Sequence, residues 1–150
     1  EVDDAVFFLA KFKNGIVGTF EATRSAWGNK EAFSFEINGS KGSIIFNSKQ
    51  YNKLYFFDSK DHPRIQGMRT IYVGNTYHPY GETPWPYGEV IGYTDLFVYQ
   101  AYEILRMLLT EQKGVIATFN EALQVQAVID AVSKSKREGR WVQVEEVLEG

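Results

Sequence analysis

Two kinds of hydrophobic spacing occupy different halves of this chain, and that segregation limits the fold more than any other feature. The first half alternates as strands do. Val6, Phe8, Ala10 and Phe12 alternate with Phe7, Leu9 and Lys11, so apolar groups fall on both faces and the strand should be covered on both sides. Asn14-Gly15 follows, the preferred pair for a two-residue type I′ hairpin turn. Ile16 to Arg24 then runs back, with Ile16, Gly18, Phe20, Ala22 and Arg24 sharing one face. A third strand carries Phe33, Phe35 and Ile37 on one side. Gly39-Ser-Lys-Gly42 is a turn, Ser43 to Asn47 a fourth strand, and Lys53 to Asp58 and Arg69 to Val73 two more. This is the spacing of antiparallel hairpins in a meander.

The second half is helical. Phe97, Ala101, Ile104, Leu105 and Leu108 form one stripe. Thr94 can cap the start of that helix, and Gly114 suits its C′ position. A second helix opens on the capping-box spacing Thr118-Phe-Asn-Glu121, with Ala122, Val125, Ile129 and Val132 as its stripe and Gly139 at its end. Arg140 to Val144 reads as a final short strand. Strands followed by a helix pair indicate an α+β fold: an open, mainly antiparallel sheet with helices packed on one face. The other face still carries large apolar groups, so it should be used for oligomerisation.

Between the halves lie residues 74–92, GNTYHPYGETPWPYGEVIG, which fit no period. They hold three of the four prolines. A loop this long inside a compact domain is usually functional or disordered, and its aromatic content favours order.

At 150 residues the chain reads as one domain, and a chain of this size can bury roughly 70% of its unfolded surface without a disulfide or metal staple. There is no Cys, which excludes a disulfide scaffold, Cys-ligated zinc and a Cys nucleophile. A reducing, cytoplasmic location is the expectation. The net charge of −3 argues against a nucleic-acid partner held by phosphate contacts. Lys134, Lys136, Arg137 and Arg140 are better read as a solvated helix end that complements the dipole. No apolar run approaches the roughly 18–20 residues that span a bilayer, so no membrane partner is expected.

No catalytic constellation is complete. His62 and His78 both precede Pro and lack metal-ligand spacing to any other candidate ligand. No two glycines stand two apart, so a dinucleotide fingerprint is absent. Glu21 and Glu36 suit paired charges on strand faces. Arg24 shares a face with Phe20 and Ala22, which suits either structural pairing or contact with an anion or substrate. Tyr77, Tyr80, Trp85, Tyr87 and Tyr93 could stack on sugar faces or form the loop's own small core.

Residues 4–47, which include AVFFLAKFKNGIVGTFEATRSAWGNKEAFSFEINGSKGSIIFN, resemble the C-terminal domain of the glucose–fructose oxidoreductase / inositol dehydrogenase family (Gfo/Idh/MocA). The shared pattern is a strand, an N-G turn, G-T-x-E-A-(S/T)-R and F-E-I-x-G-(S/T)-K-G-S-I-x-F. HPYGETPWPYGEVIGYTDLFVYQAYEIL and ALQVQAVIDAVSKSKREGRWVQV are similar to that family's later segments. The resemblance covers essentially the whole chain, in order. It implies that 1–150 is a single C-terminal domain, and that the N-terminal Rossmann domain binding NAD or NADP lies outside it. It also implies oxidation of a sugar, polyol or inositol-like alcohol, and a homo-oligomer built through the sheet. The family's catalytic lysine and histidine motifs have no counterpart here. The expectation is therefore no catalytic, cofactor-binding or metal residue in this chain, no cofactor bound by it, and no activity for it alone. Arg24, His78, Tyr80, Trp85, Glu89 and Tyr93 are the substrate-contact candidates. In many relatives His follows the W-P-x-G segment, whereas Glu89 stands here. A stand-alone carbohydrate-binding or protein-interaction module reusing the fold is the alternative.

Overall fold

The computed structural model describes residues 3–80, 89 and 91–148. They form two compact units, one from the described residues of 1–26 and 115–150 and the other from 27–114. Among the described residues no helix is long and apolar enough to cross a membrane.

The first unit holds a hairpin and two helices. Strand β1 (Ala5–Lys11) pairs antiparallel with β2 (Val17–Thr23), with Phe8 opposite Phe20. Their rings stack at 4.7 Å. The turn differs from the expected two-residue type. The Phe12 N–H donates to the Ile16 carbonyl and the Gly15 N–H to the Phe12 carbonyl, with Gly15 at φ +86°. The loop is therefore three residues, Lys13-Asn14-Gly15, and closes with glycine in the left-handed region. Register explains the choice. A two-residue loop would set Phe8 against Glu21, whereas the observed one sets Val6 against Ala22 and Phe8 against Phe20 on the half-buried face. The strand is not covered on both sides: Val6, Phe8 and Ala10 are half-buried, while Phe7 is 68% and Leu9 57% exposed.

Helix α2 (Phe119–Glu138) begins and ends where its caps predict. The Thr118 N–H donates to the Glu121 carboxylate at 2.7 Å and the Glu121 N–H to the Thr118 hydroxyl at 3.3 Å. Gly139 (φ +64°) ends the helix, its N–H donating to the Ser135 carbonyl. The buried face is not the expected stripe. Ala127 and Ala131 are covered, 4% and 6% exposed, while Val125 and Ile129 face outward. Small alanines at i and i+4 permit close approach, and α2 touches α3 (Glu145–Leu148).

The expected final strand is absent, and residues 140–144 instead lead into α3. Arg140 explains why. Its guanidinium donates to the Trp141 carbonyl and to Glu146, and its own carbonyl accepts from the Ser135 hydroxyl. Backbone groups used in this way are not free for a ladder. Lys136–Asp3 (2.9 Å) and Lys13–Glu145 (2.6 Å) ion pairs tie the helices to the hairpin.

The second unit is a four-stranded antiparallel meander and one long helix. Its strands are β3 (Ser34–Gly39), β4 (Gly42–Asn47), β5 (Lys53–Asp58) and β6 (Arg69–Tyr72), in that order across the sheet. Gly39 pairs with Gly42 across the Ser40-Lys41 link, as the sequence suggests. A side chain at Gly42 would strike the Phe57 carbonyl of β5. Buried Ser48 accepts from the Phe33 N–H at 2.8 Å and donates to the Glu31 carbonyl, anchoring the lead-in to β3. Pairing thus divides the described strands into two sheets rather than one.

Helix α1 (Tyr93–Thr110) departs from expectation at both ends and along its side. Its cap is Gly92, whose N–H donates to the Asp95 carboxylate at 2.7 Å, rather than Thr94. It ends at Glu111, in the left-handed region at φ +56°, three residues before Gly114. Gly114 serves a close approach instead: a Cβ there would come within 2.7 Å of Glu103 Oε2. The expected stripe is exposed, Leu108 at 74%. The covered side carries Tyr99, Glu103, Arg106 and Met107. Side chains at this i, i+4, i+7, i+8 spacing share one face, and here it carries the Glu103–Arg106 ion pair between Tyr99 and Met107.

Candidate functional site

The segment leaving β6 carries two of the expected contact residues into one place. The Val73 N–H donates to the Asn52 carbonyl, extending the β5–β6 pairing by one step. Gly74 then turns the chain at φ +102°. The Asn75 side chain accepts from the Tyr77 N–H, and its carbonyl accepts from the His78 N–H, both at 2.9 Å. This Asn-led turn is a local device that needs no distant partner. It leaves Tyr77 exposed and His78 half-buried. His78 Nδ1 is buried and has no hydrogen-bond partner among the described residues. Such a group calls for a partner, whether water, ligand or another part of the protein.

Tyr80 follows Pro79 in the chain. It sits at φ +60°, a conformation that costs a non-glycine residue about 1–2 kcal/mol. Its ring contacts offset that cost. It stacks on Tyr99 with centroids 4.7 Å apart and meets Tyr102 edge-on at 6.2 Å. Burial raises the phenol's pKa, and a hydrogen bond with the Glu103 carboxylate raises it further. Glu103 is 5% exposed, and Arg106 balances its charge through Nη2 at 2.8 Å and Nε at 3.3 Å. A buried carboxylate is retained at low cost only when paired in this way.

Beside this network lies a cavity of about 320 Å³. Phe46 lines it from β4, Tyr51 from the link between β4 and β5, Pro79 and Tyr80 from the segment after β6, and Leu96 and Tyr99 from α1. Its walls are aromatic and apolar, which suits the faces of a ring more than a charged group.

The other candidates are placed differently. Tyr93 opens α1, exposed, with its ring edge-on to Phe97 at 5.2 Å. Glu89 is exposed. Trp85 lies outside the described residues. Arg24 belongs to the first unit, just past β2. Its N–H donates to the Asp4 carbonyl, and its exposed side chain has no salt bridge among the described residues. No three His, Asp or Glu side chains converge as a metal would need, among the described residues. Glu103 and Arg106 escaped the sequence reading. The one available signal was a Glu-x-x-Arg pair inside the apolar run LFVYQAYEILRMLL.

Comparison with known proteins sets this geometry in a family. Residues 1–144 match the oxidoreductase family, C-terminal alpha/beta domain. The chain is 36% identical over 148 residues to levoglucosan dehydrogenase of Pseudarthrobacter phenanthrenivorans, covering 98% of this chain and 37% of that protein. It superimposes on an oxidoreductase domain protein from Kribbella flavida with a TM-score of 0.91 at 39% identity, over 96% of this chain and 37% of that one. A levoglucosan dehydrogenase solved in complex with NADH and levoglucosan gives a TM-score of 0.88 at 36% identity, over 95% of this chain and 38% of that one. The chain thus spans little more than a third of the length of these relatives. With the match running from the first strand into the C-terminal helices, the chain belongs to the Gfo/Idh/MocA oxidoreductase family, in the part that forms its C-terminal alpha/beta domain.

Proposed function

We propose that the chain is the substrate-side and oligomerisation domain of an NAD(P)-dependent oxidoreductase acting on a sugar, polyol or inositol-like alcohol. The observation that carries this reading is the 36% identity, over 98% of the chain, to a levoglucosan dehydrogenase. Relatives of that name have been solved with NADH and with levoglucosan or L-sorbose.

The cofactor, when bound, would accept hydride at C4 of its nicotinamide from the carbinol carbon of the substrate. The residues of this chain do not fit as its holder. They lack the glycine-rich strand–turn–helix that cradles a pyrophosphate. The chain's own share is shape and hydrogen bonding. His78 would offer its Nδ1, which has no partner among the described residues, to a hydroxyl. Tyr80 and Tyr93 would offer apolar ring faces, and Arg24 and Glu89 would offer charged groups at the surface. Alone, the 150 residues would bind no cofactor and turn over no substrate. Phe7 and Leu9, large, apolar and exposed on β1, support a subunit contact through the hairpin's open face.

Substitution in the full-length enzyme tests the site. His78→Ala or Tyr93→Ala should raise the KM for the sugar about tenfold, the worth of one lost contact of roughly 1.4 kcal/mol. The KM for the cofactor should stay unchanged. Unaltered sugar kinetics in both variants would overturn this assignment.

A further inference from the structure

The walls of the cavity in the second unit decide what it can hold. Phe46, Tyr51, Tyr80 and Tyr99 contribute rings, and Val73 and Leu96 add aliphatic groups. Among the described residues no charged or amide side chain lines it. A sugar ring sunk into such a space would leave most of its hydroxyls without partners, and an unpaired buried hydroxyl is costly. An apolar ring carries no such cost, and its faces can pack against the aromatic walls.

The walls are also braced from behind. The Phe46 ring packs against Phe33 and Phe35, with centroids 6.3 and 5.5 Å away. Tyr80 stacks on Tyr99 at 4.7 Å and meets Tyr102 edge-on. Rings held in this way keep the space open, and a preformed space lowers the cost of binding. An apolar cavity of about 150 Å³ takes a benzene molecule. This one, at about 320 Å³, has room for two fused rings. Pro79 and Leu96 line it and are themselves exposed, so it opens to solvent. Pro79 also follows His78 directly in the chain, which puts their Cα atoms about 3.8 Å apart. One molecule can therefore reach both the imidazole and the cavity.

We propose that this cavity binds an apolar ring attached to the sugar, so that the preferred substrate is a sugar with an aryl or alicyclic substituent. The proposal rests on the reading that the full-length protein oxidises a sugar beside His78. The sugar stays with the imidazole, and the substituent lies between β4 and α1.

The test uses the full-length enzyme with the methyl, phenyl and 2-naphthyl glycosides of the hexose it oxidises. The phenyl and naphthyl glycosides should show a KM about tenfold or more below that of the methyl glycoside. Val73→Phe and Leu96→Trp each add bulk to the cavity wall. In each folded variant the KM advantage of the aryl glycosides should shrink to about twofold or less. Equal KM values for methyl and aryl glycosides in the parent would overturn the proposal, and so would an aryl advantage retained in both folded variants. If the parent oxidises no sugar, the functional reading fails, and equilibrium dialysis with 2-naphthol judges the cavity by itself. A single equivalent bound per chain, with affinity about tenfold weaker in either variant, would support the site. No binding, or binding unchanged in both variants, would overturn it.

Discussion

Glu146 is ion-paired in the folded chain and would be free in the unfolded one, so it links stability to acidity. Its hydrogen bonds from the Arg140 guanidinium, the Gln143 N–H and the Lys134 ammonium lower its pKa to about 2, against an ordinary value of 4.5. A depressed carboxylate contributes stability that is present above the unfolded value and is lost as pH falls through the folded one. The contribution of Glu146 should therefore fade between pH 4.5 and about 2. Denaturant titrations across that range should show Glu146→Gln with a flatter acid limb than the parent. An identical limb would mean that the Arg140 pair adds nothing. At this scale the sequence marked His78 and Tyr80 by their place in an aperiodic aromatic loop. It concealed Glu103 and Arg106, because a helix is read first by its apolar stripe. Here the stripe faces outward, and the side that holds Glu103 and Arg106 is covered.

Strands and helix boundaries follow from local chemistry where that chemistry is complete within a few residues. Thr118 and Glu121 satisfy each other's backbone N–H groups, and α2 starts where they predict. Thr118→Ala should lower stability by about 1 kcal/mol in thermal or urea unfolding. The Asn14-Gly15 turn was legible as a turn but not in its length. Length was decided by which residues face each other across β1 and β2, information that a dipeptide does not carry. Gly15 sits at φ +86°, so Gly15→Ala should destabilise by about 1 kcal/mol. A Gly15→Ala chain as stable as the parent would contradict the three-residue loop. Gly42→Ala should cost about 1–3 kcal/mol by driving β4 away from the Phe57 carbonyl. The ends of α1 were misread because Gly92 and Glu111 do their capping through backbone geometry and Asp95, not through a preferred cap side chain.

At the scale of the molecule, the alternation of strands and the pair of helices sufficed for the α+β class, and the motifs along the chain sufficed for the family. What the pattern could not assign was which apolar faces are covered within these residues. Phe7 and Leu9 on β1 and Leu108 on α1 have the composition of a core and the exposure of a surface. Periodicity reports that a face is apolar, not which polypeptide covers it. If the open face of β1 makes the subunit contact, Leu9→Asp in the full-length enzyme should shift sedimentation to a smaller species. An unchanged distribution would remove the hairpin from the interface. The role proposed for the whole protein is decided by nicotinamide reduction, followed by absorbance, with the full-length gene product, NAD or NADP and a panel of sugars, polyols and inositols. Reduction that depends on one of these alcohols, and that the 150-residue chain alone does not support, is the result expected. A folded full-length protein that reduces neither cofactor with any of them, beside a 150-residue chain that binds sugar by itself, would contradict it.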